Sequence, residues 1–254
     1  MARILLINPP KKNKIWAGIP RIFSEGIFLF PPLALMYLQA YLKKHTHHQT
    51  EILDALVDSL DYPGIKKRII DFSPDIAGIT VCTHNLIDVV KIISIVKEIK
   101  KSVHICLGGP HVRSYPFESI SLPGVDSVIP GDGEITFAEL AGALEKNKDL
   151  SGIKGIIFKD EQGRIIKTDE TEDISNLDIL PFPDRRIRNY RKYYTPATEG
   201  SLMTTMITSR GCPNRCTFCD TSKKYRPRSV ENIADEIEEC VKLGLREIFF
   251  VDDT

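Results

Sequence analysis

The sequence predicts an α/β protein that begins with a doubly wound parallel sheet. Two observations carry this: short β-branched runs alternate with helical stretches up to residue 148, and glycine- or proline-bearing loops follow the runs. A third observation, Cys212, Cys216 and Cys219 within eight residues, marks a second unit with its own chemistry. The 254 residues suit one or two domains, and 42% apolar with 27% charged residues supply a buried core. Lysine plus arginine number 34 and aspartate plus glutamate 34, giving a formal charge of zero, which argues against a general binder of nucleic acid or acidic membranes. No run approaches the roughly 18 apolar residues of a membrane span. The stretch from Met1 to Pro10 lacks the apolar length and cleavage site of a signal peptide. Six cysteines without an export signal point to the reducing cytoplasm.

The elements of the first domain, residues 1–148, follow in order. Ile4 to Ile7 is a buried strand that ends where Pro9 and Pro10 remove ladder donors. Pro31-Pro32 opens a helix through about Lys44, with Leu33, Met36, Tyr37, Ala40 and Tyr41 on one face and basic residues at its end. Glu51 to Leu53 is a strand, Gly64 to Phe72 a helix, and Asp75 to Val81 a strand. Asn85 is a candidate N-cap for a helix that places Leu86, Val89, Val90, Ile93, Val96 and Ile99 at helical spacing. Val103 to Leu107 and Asp126 to Ile129 are the last strands, and Ile135 to Lys146 the closing helix.

In such sheets ligands sit beyond the carboxyl ends of the strands. The loops there are Asn8-Pro9-Pro10, Cys82-Thr83-His84, Gly108-Gly109-Pro110-His111 and Gly131-Asp132-Gly133-Glu134. Ordinary turn chemistry explains any one of them, but their shared rim favours a ligand. A dinucleotide is disfavoured, because no G-x-G-x-x-G follows the first strand.

Residues 149–200 read as a connector. Ile153 to Lys159 and Arg164 to Thr168 flank Asp160-Glu161-Gln162-Gly163 as a β-hairpin. Leu180-Pro181-Phe182-Pro183 is extended, and the arginines of Arg185-Arg186-Ile187-Arg188 read as a solvated or interdomain face.

In the last part, residues 201–254, Met203 to Ser209 is a strand that runs into Arg210-Gly211-Cys212, with Cys216 and Cys219 following. Thiolates select iron–sulfur clusters, zinc or copper(I). A structural zinc wants four ligands, and no fourth cysteine or histidine lies nearby; Cys240 falls inside a helix (Ser229 to Leu243) and reads as core. Three thiolates on a four-iron cluster leave one iron open to a small molecule.

The C-x3-C-x2-C run with aromatic Phe218 before its last cysteine resembles the signature of radical S-adenosylmethionine enzymes. The strand before it and the helix after it resemble the start of their (β/α) barrel. The first half resembles the flavodoxin-like cobalamin-binding domain that precedes this barrel in one class of them. The resemblance implies that Cys212, Cys216 and Cys219 hold a [4Fe–4S] cluster and that S-adenosylmethionine chelates its open iron. Reductive cleavage then yields a 5′-deoxyadenosyl radical, and the protein holds the cofactors and excludes water and oxygen. It further implies that the backbone around Phe218, with Asp252 and Asp253, lies by S-adenosylmethionine. Thr83, Gly108, Gly109, Gly131 and Glu134 are the positions matching a cobalamin site. The D-x-H-x-x-G motif is absent, and His84 and His111 stand in other contexts, so no histidine is expected beneath the cobalt. The chemistry implied is methylation or cyclisation at an unreactive carbon of a small-molecule, lipid or tetrapyrrole-like substrate. The electron would come from a one-electron donor such as flavodoxin or ferredoxin; the residues acting directly on substrate stay unknown.

The sequence stops at Thr254 after two barrel strands, so a fragment or a partner-completed barrel is expected. Two other readings stay open. A non-catalytic module would bind cobalamin and a cluster only. A tRNA methylthiotransferase would use Lys223, Lys224, Arg226 and Arg228 on RNA, yet it calls for three more cluster cysteines in the first domain, where only Cys82 and Cys106 exist.

Overall fold

The structure is a computed structural model that describes residues 1–13, 29–195, 198 and 200–254. Parts of the expected first domain and of the connector therefore lie outside the described residues. The chain order is β1 (Arg3–Asn8), α1 (Leu33–His45), β2 (Gln49–Asp54), α2 (Tyr62–Phe72), β3 (Ile76–Thr80), α3 (Leu86–Ile99) and β4 (His104–Gly108). There follow α4 (Pro110–Ser114), α5 (Pro116–Ser121), β5 (Ser127–Ile129), α6 (Glu134–Glu145), β6 (Ile157–Lys159) and β7 (Ile165–Lys167). The last part holds β8 (Met203–Met206), β9 (Ser209–Arg210), β10 (Arg226–Pro227), α7 (Val230–Lys242) and β11 (Glu247–Phe250).

The main sheet runs β2-β1-β3-β4-β5-β6-β7, with the first five strands parallel and the last two antiparallel. Side chains alternate across the pleat, so Leu5 and Ile7 face α2 and α3 while Ile4 and Leu6 face α1 and α6. Both faces are thus covered, as a parallel sheet requires. The hairpin expected in the connector pairs with β5 through Val128 and Ile157, extending the first sheet to seven strands. The edge strand β5 would otherwise present unpaired backbone groups.

Local expectations differ at three points. Leu35, Met36 and Leu42 of α1 are the residues buried against the sheet, whereas Leu33, Ala40 and Tyr41 are only partly covered. In α3, Ile92 is buried and Val90 is exposed, because the helix sits on the sheet along the line of Val89, Ile93 and Val96. Asn85 caps backwards: its Oδ1 accepts the Cys82 N–H at 3.0 Å rather than a donor in the first turn of α3.

The connector is strapped to the first domain. Tyr193 donates its hydroxyl to Asp54 at 2.8 Å, Lys43 pairs with Asp184 at 2.6 Å, and Leu29 bridges Tyr194. Of the arginines read as a solvated or interdomain face, Arg186 and Arg188 are exposed, whereas Arg185 is buried where the connector meets β8 and α7. Its guanidinium is fully buried, donating to Thr204 Oγ1 at 2.9 Å, to the Thr205 carbonyl at 3.1 Å and to Glu236 at 2.6 Å. Arg228 reaches the other oxygen of Glu236 and donates to the Ile207 carbonyl at 2.8 Å. Glu236 sits on α7 among Cys240, Ile233 and Ile237, so this charge triad joins the connector, β8 and α7 inside the small parallel pair β8–β11. Cys240 is core, as read.

A carboxylate buried between two arginines has no solvent to replace it. Glu236→Ala is expected to lower unfolding free energy by about 3–5 kcal/mol, the range for breaking a buried pair. A urea titration of the variant checks this, with Glu236→Gln losing less because it retains a hydrogen-bonding oxygen.

Candidate functional site

A cavity of about 690 Å³ opens at the carboxyl ends of β3, β4 and β5. Gly78, Thr80, Gly108, Gly109, Gly131 and Gly133 form its sheet side, Leu33, Leu35, Leu38 and Phe137 its apolar flank, and Arg210, Asp220, Thr221, Val251 and Asp253 its far wall. Its size lies within the usual span of small-molecule sites, roughly 300–1,000 Å³. Side chains built at Gly131 and Gly133 would meet no atom within 4 Å, so the backbone there faces open space. Gly109 has φ +104° and lies against the Val81 backbone, where a Cβ would come within 2.9 Å of the carbonyl oxygen. A flat, largely apolar cofactor with a polar rim fits this shape.

The cysteine loop adjoins that wall. Gly211, at φ +77°, hands the chain from β9 to Cys212, and a Cβ there would collide with the carbonyls of Ser222 and Lys224. Its N–H donates to Asp253 at 2.9 Å, and the Cys212 N–H donates to the Ser222 carbonyl at 2.8 Å. Cys212 is buried, Cys219 half-buried and Cys216 exposed. Hydrogen bonds from Thr254 and Asn214 hold the Cys212 thiol below its ordinary range, and bonds from Thr221 do the same for Cys219. Among the described residues the three sulfurs do not gather within 4.8 Å of one another. The donor chemistry, three cysteine thiols on one loop with no fourth cysteine or histidine in that loop, is the set that a cluster with one open iron takes.

Several expected residues come together and others do not. Gly108, Gly109, Gly131 and Glu134 line the cavity, but Thr83 does not; it bonds His111 Nδ1 at 3.0 Å and leaves His111 buried. Glu134 is held by Arg210 at 2.5 Å, so its carboxylate faces a protein cation rather than open space. Asp253 is on the wall, while Asp252 accepts from the backbone N–H groups of Thr208 at 2.6 Å and Ser209 at 3.2 Å. Phe218 is 91% exposed and off the wall, which its neighbours Asp220 and Thr221 line instead. Arg226 and Arg228, offered for RNA, are buried in ion pairs, because each has a carboxylate aimed at it.

The residues that sequence reasoning missed are Arg210 and Asp132. Arg210 lies between Asp132 at 3.2 Å and Glu134 at 2.5 Å, over the Tyr37 ring at 5.4 Å. Asp132 is taken at its other oxygen by Arg226 at 2.5 Å. The available signal was the acid pair inside Gly131-Asp132-Gly133-Glu134, read above only for its glycines.

With this geometry in view, the relatives are informative. The B12 binding domain matches residues 27–141 and the Radical SAM superfamily residues 206–254. The chain belongs to the radical SAM proteins that carry a B12-binding domain. It is 35% identical over 258 residues to the uncharacterized methyltransferase PH0819 of Pyrococcus horikoshii, covering 99% of this chain and 53% of that protein. It is 29% identical to the anaerobic magnesium-protoporphyrin IX monomethyl ester cyclase of Rubrivivax gelatinosus, over 84% of this chain and 39% of the other. The radical S-adenosylmethionine methyltransferase TsrM from Kitasatospora setae, solved with cobalamin and a [4Fe-4S] cluster, shares the fold at TM-score 0.75 and 20% identity, covering 99% of this chain and 48% of that one. The chain thus spans about half or less of each of these three proteins.

Burial alone would raise the Asp132 pKa, but Arg210 and Arg226 outweigh it and hold the carboxyl below its usual range. The stability this confers is fully present above about pH 3.9 and lost as pH falls through the depressed folded-state value. Arg210→Ala is expected to flatten this acid dependence, as measured by urea midpoints from about pH 5 down to about pH 2.

Proposed function

We propose that this chain supplies the cofactor-holding part of a cobalamin-dependent radical S-adenosylmethionine enzyme, a methyltransferase or cyclase acting on an unreactive carbon. The carrying observation is the shared cavity: the glycine rim of the B12-binding domain and the residues beside the cysteine loop line one space. Cys212, Cys216 and Cys219 would hold the cluster, and Gly108, Gly109, Gly131 and Gly133 would let cobalamin approach the backbone. Asp253 and Thr221 would lie beside S-adenosylmethionine. When bound, the cluster and S-adenosylmethionine supply a carbon-centred radical and cobalamin supplies methyl-transfer chemistry. The chain's own residues orient and shield: Asp253 fixes the Gly211 N–H, and Leu33, Leu35 and Phe137 keep one flank dry. The Rubrivivax gelatinosus relative is named for a tetrapyrrole ester, which supports a substrate of that class. No described helix is long and apolar enough to cross a membrane.

The methylthiotransferase reading loses support in the first domain. Only Cys82 and Cys106 lie there, and Cys106 is buried in the sheet core, so the three-cysteine set that a second cluster needs is missing from the first domain.

Anaerobic reconstitution with iron and sulfide tests the proposal. About four iron per chain are expected, lost when the three cysteines become alanine. Hydroxocobalamin should be retained with a shifted visible spectrum. Release of 5′-deoxyadenosine from S-adenosylmethionine separates an enzyme from a binding module. Iron retained without the cysteines, or no cobalamin retained, overturns it.

A further inference from the structure

At the other end of the strands from the cavity, His47, His48 and Glu145 converge. The histidines form the turn from α1 into β2, and Glu145 closes α6. One potential ligand atom from each lies within 4.8 Å of the others. His47 Nε2 stands 3.0 Å from Glu145 Oε1, and the two imidazole centroids are 5.0 Å apart. Glu145 also takes the Met1 amine at 2.5 Å, and His48 Nδ1 accepts the Ala2 N–H at 3.3 Å.

Two imidazoles and a carboxylate make a His₂-carboxylate donor set, which zinc binds with bonds of about 2.0–2.2 Å and ligand atoms roughly 3.3 Å apart. His47 is exposed and free to swing the remaining distance, while His48 is buried and fixed. The 3.3 Å contact from the Ala2 N–H is long for a hydrogen bond, so a metal ion could take the His48 Nδ1 lone pair in its place. The Glu145 carboxylate oxygen and the His47 Nε2 face each other at 3.0 Å, an anionic oxygen and an imidazole nitrogen of the kind that zinc binds.

We propose that His47, His48 and Glu145 form a divalent transition-metal site of zinc type, with its fourth position taken by water. Bound metal ties the start of β2 to the end of α6, across 98 residues of sequence, and so clamps the amino edge of the sheet. The site is independent of the radical chemistry.

The cysteine loop also attracts soft metals, so the test uses the full chain carrying Cys212→Ser, Cys216→Ser and Cys219→Ser, titrated with cobalt(II) and competed with zinc. One cobalt per chain is expected, with ligand-field bands and no thiolate-to-metal charge transfer. Saturating zinc should raise the thermal midpoint by several degrees. His47→Ala and Glu145→Gln, placed in the same chain, should each weaken binding by at least about tenfold and abolish the zinc-dependent shift. His47 is exposed, so His47→Ala keeps the fold, and circular dichroism without metal verifies that. No cobalt bound by the chain with the three serine substitutions, or binding unchanged in both variants, overturns the site.

Discussion

Arg210 reaches from the strand that leads into the cysteine loop to two carboxylates on the loop after β5. Its neighbours extend the pattern: Arg226 shares Asp132, and deeper in, Arg185 and Arg228 share Glu236. Opposite charges thus alternate within two groups, Glu134–Arg210–Asp132–Arg226 and Arg185–Glu236–Arg228, nearly all of them out of water. Buried pairs of this kind add little net stability over apolar packing, but losing one member leaves a stranded charge. Their effect is geometric. The cysteine loop is held against the glycine rim because the arginine just before Gly211 has nowhere else to put its charge.

That placement makes one cavity out of two half-sites. The rim supplies bare backbone, where Gly131 and Gly133 face open space, and α1 and α6 supply an apolar flank. The cysteine loop supplies thiols lowered by hydrogen bonds from Thr254, Asn214 and Thr221. Gly211 is the hinge between them: its positive φ and its bond to Asp253 turn the chain from β9 into the loop. Cofactors held by the two halves would meet in that space, which is the physical basis for the proposed chemistry.

Much of this was legible in the sequence where the signal is local. The strands of the first sheet are short apolar runs between breakers, and the cysteine trio is a ligand set within one loop. Other features depend on partners far along the chain. Arg185 was read with a solvated or interdomain face, and nothing near it shows that Glu236, 51 residues on, meets it in the core. Glu134 looked like a ligand contact because its loop lies on the rim, but Arg210, 76 residues on, takes it. Thr83 turned to His111 for the same reason. The hairpin of β6 and β7 was visible as a hairpin; that it extends the first sheet follows from the open edge of β5, which no local pattern reports. In α3 the helical period was right, and only the line of contact, through Ile92 instead of Val90, was set by packing.

The pairing of Arg210 with the rim is most directly tested by a double-mutant cycle on Arg210→Met and Glu134→Gln, read by chemical denaturation. The structure predicts that the two losses are far from additive, with a coupling energy of about 1–3 kcal/mol. Additive losses, with coupling near zero, would mean that the cysteine loop is held by something else and that the shared cavity has lost its physical cause.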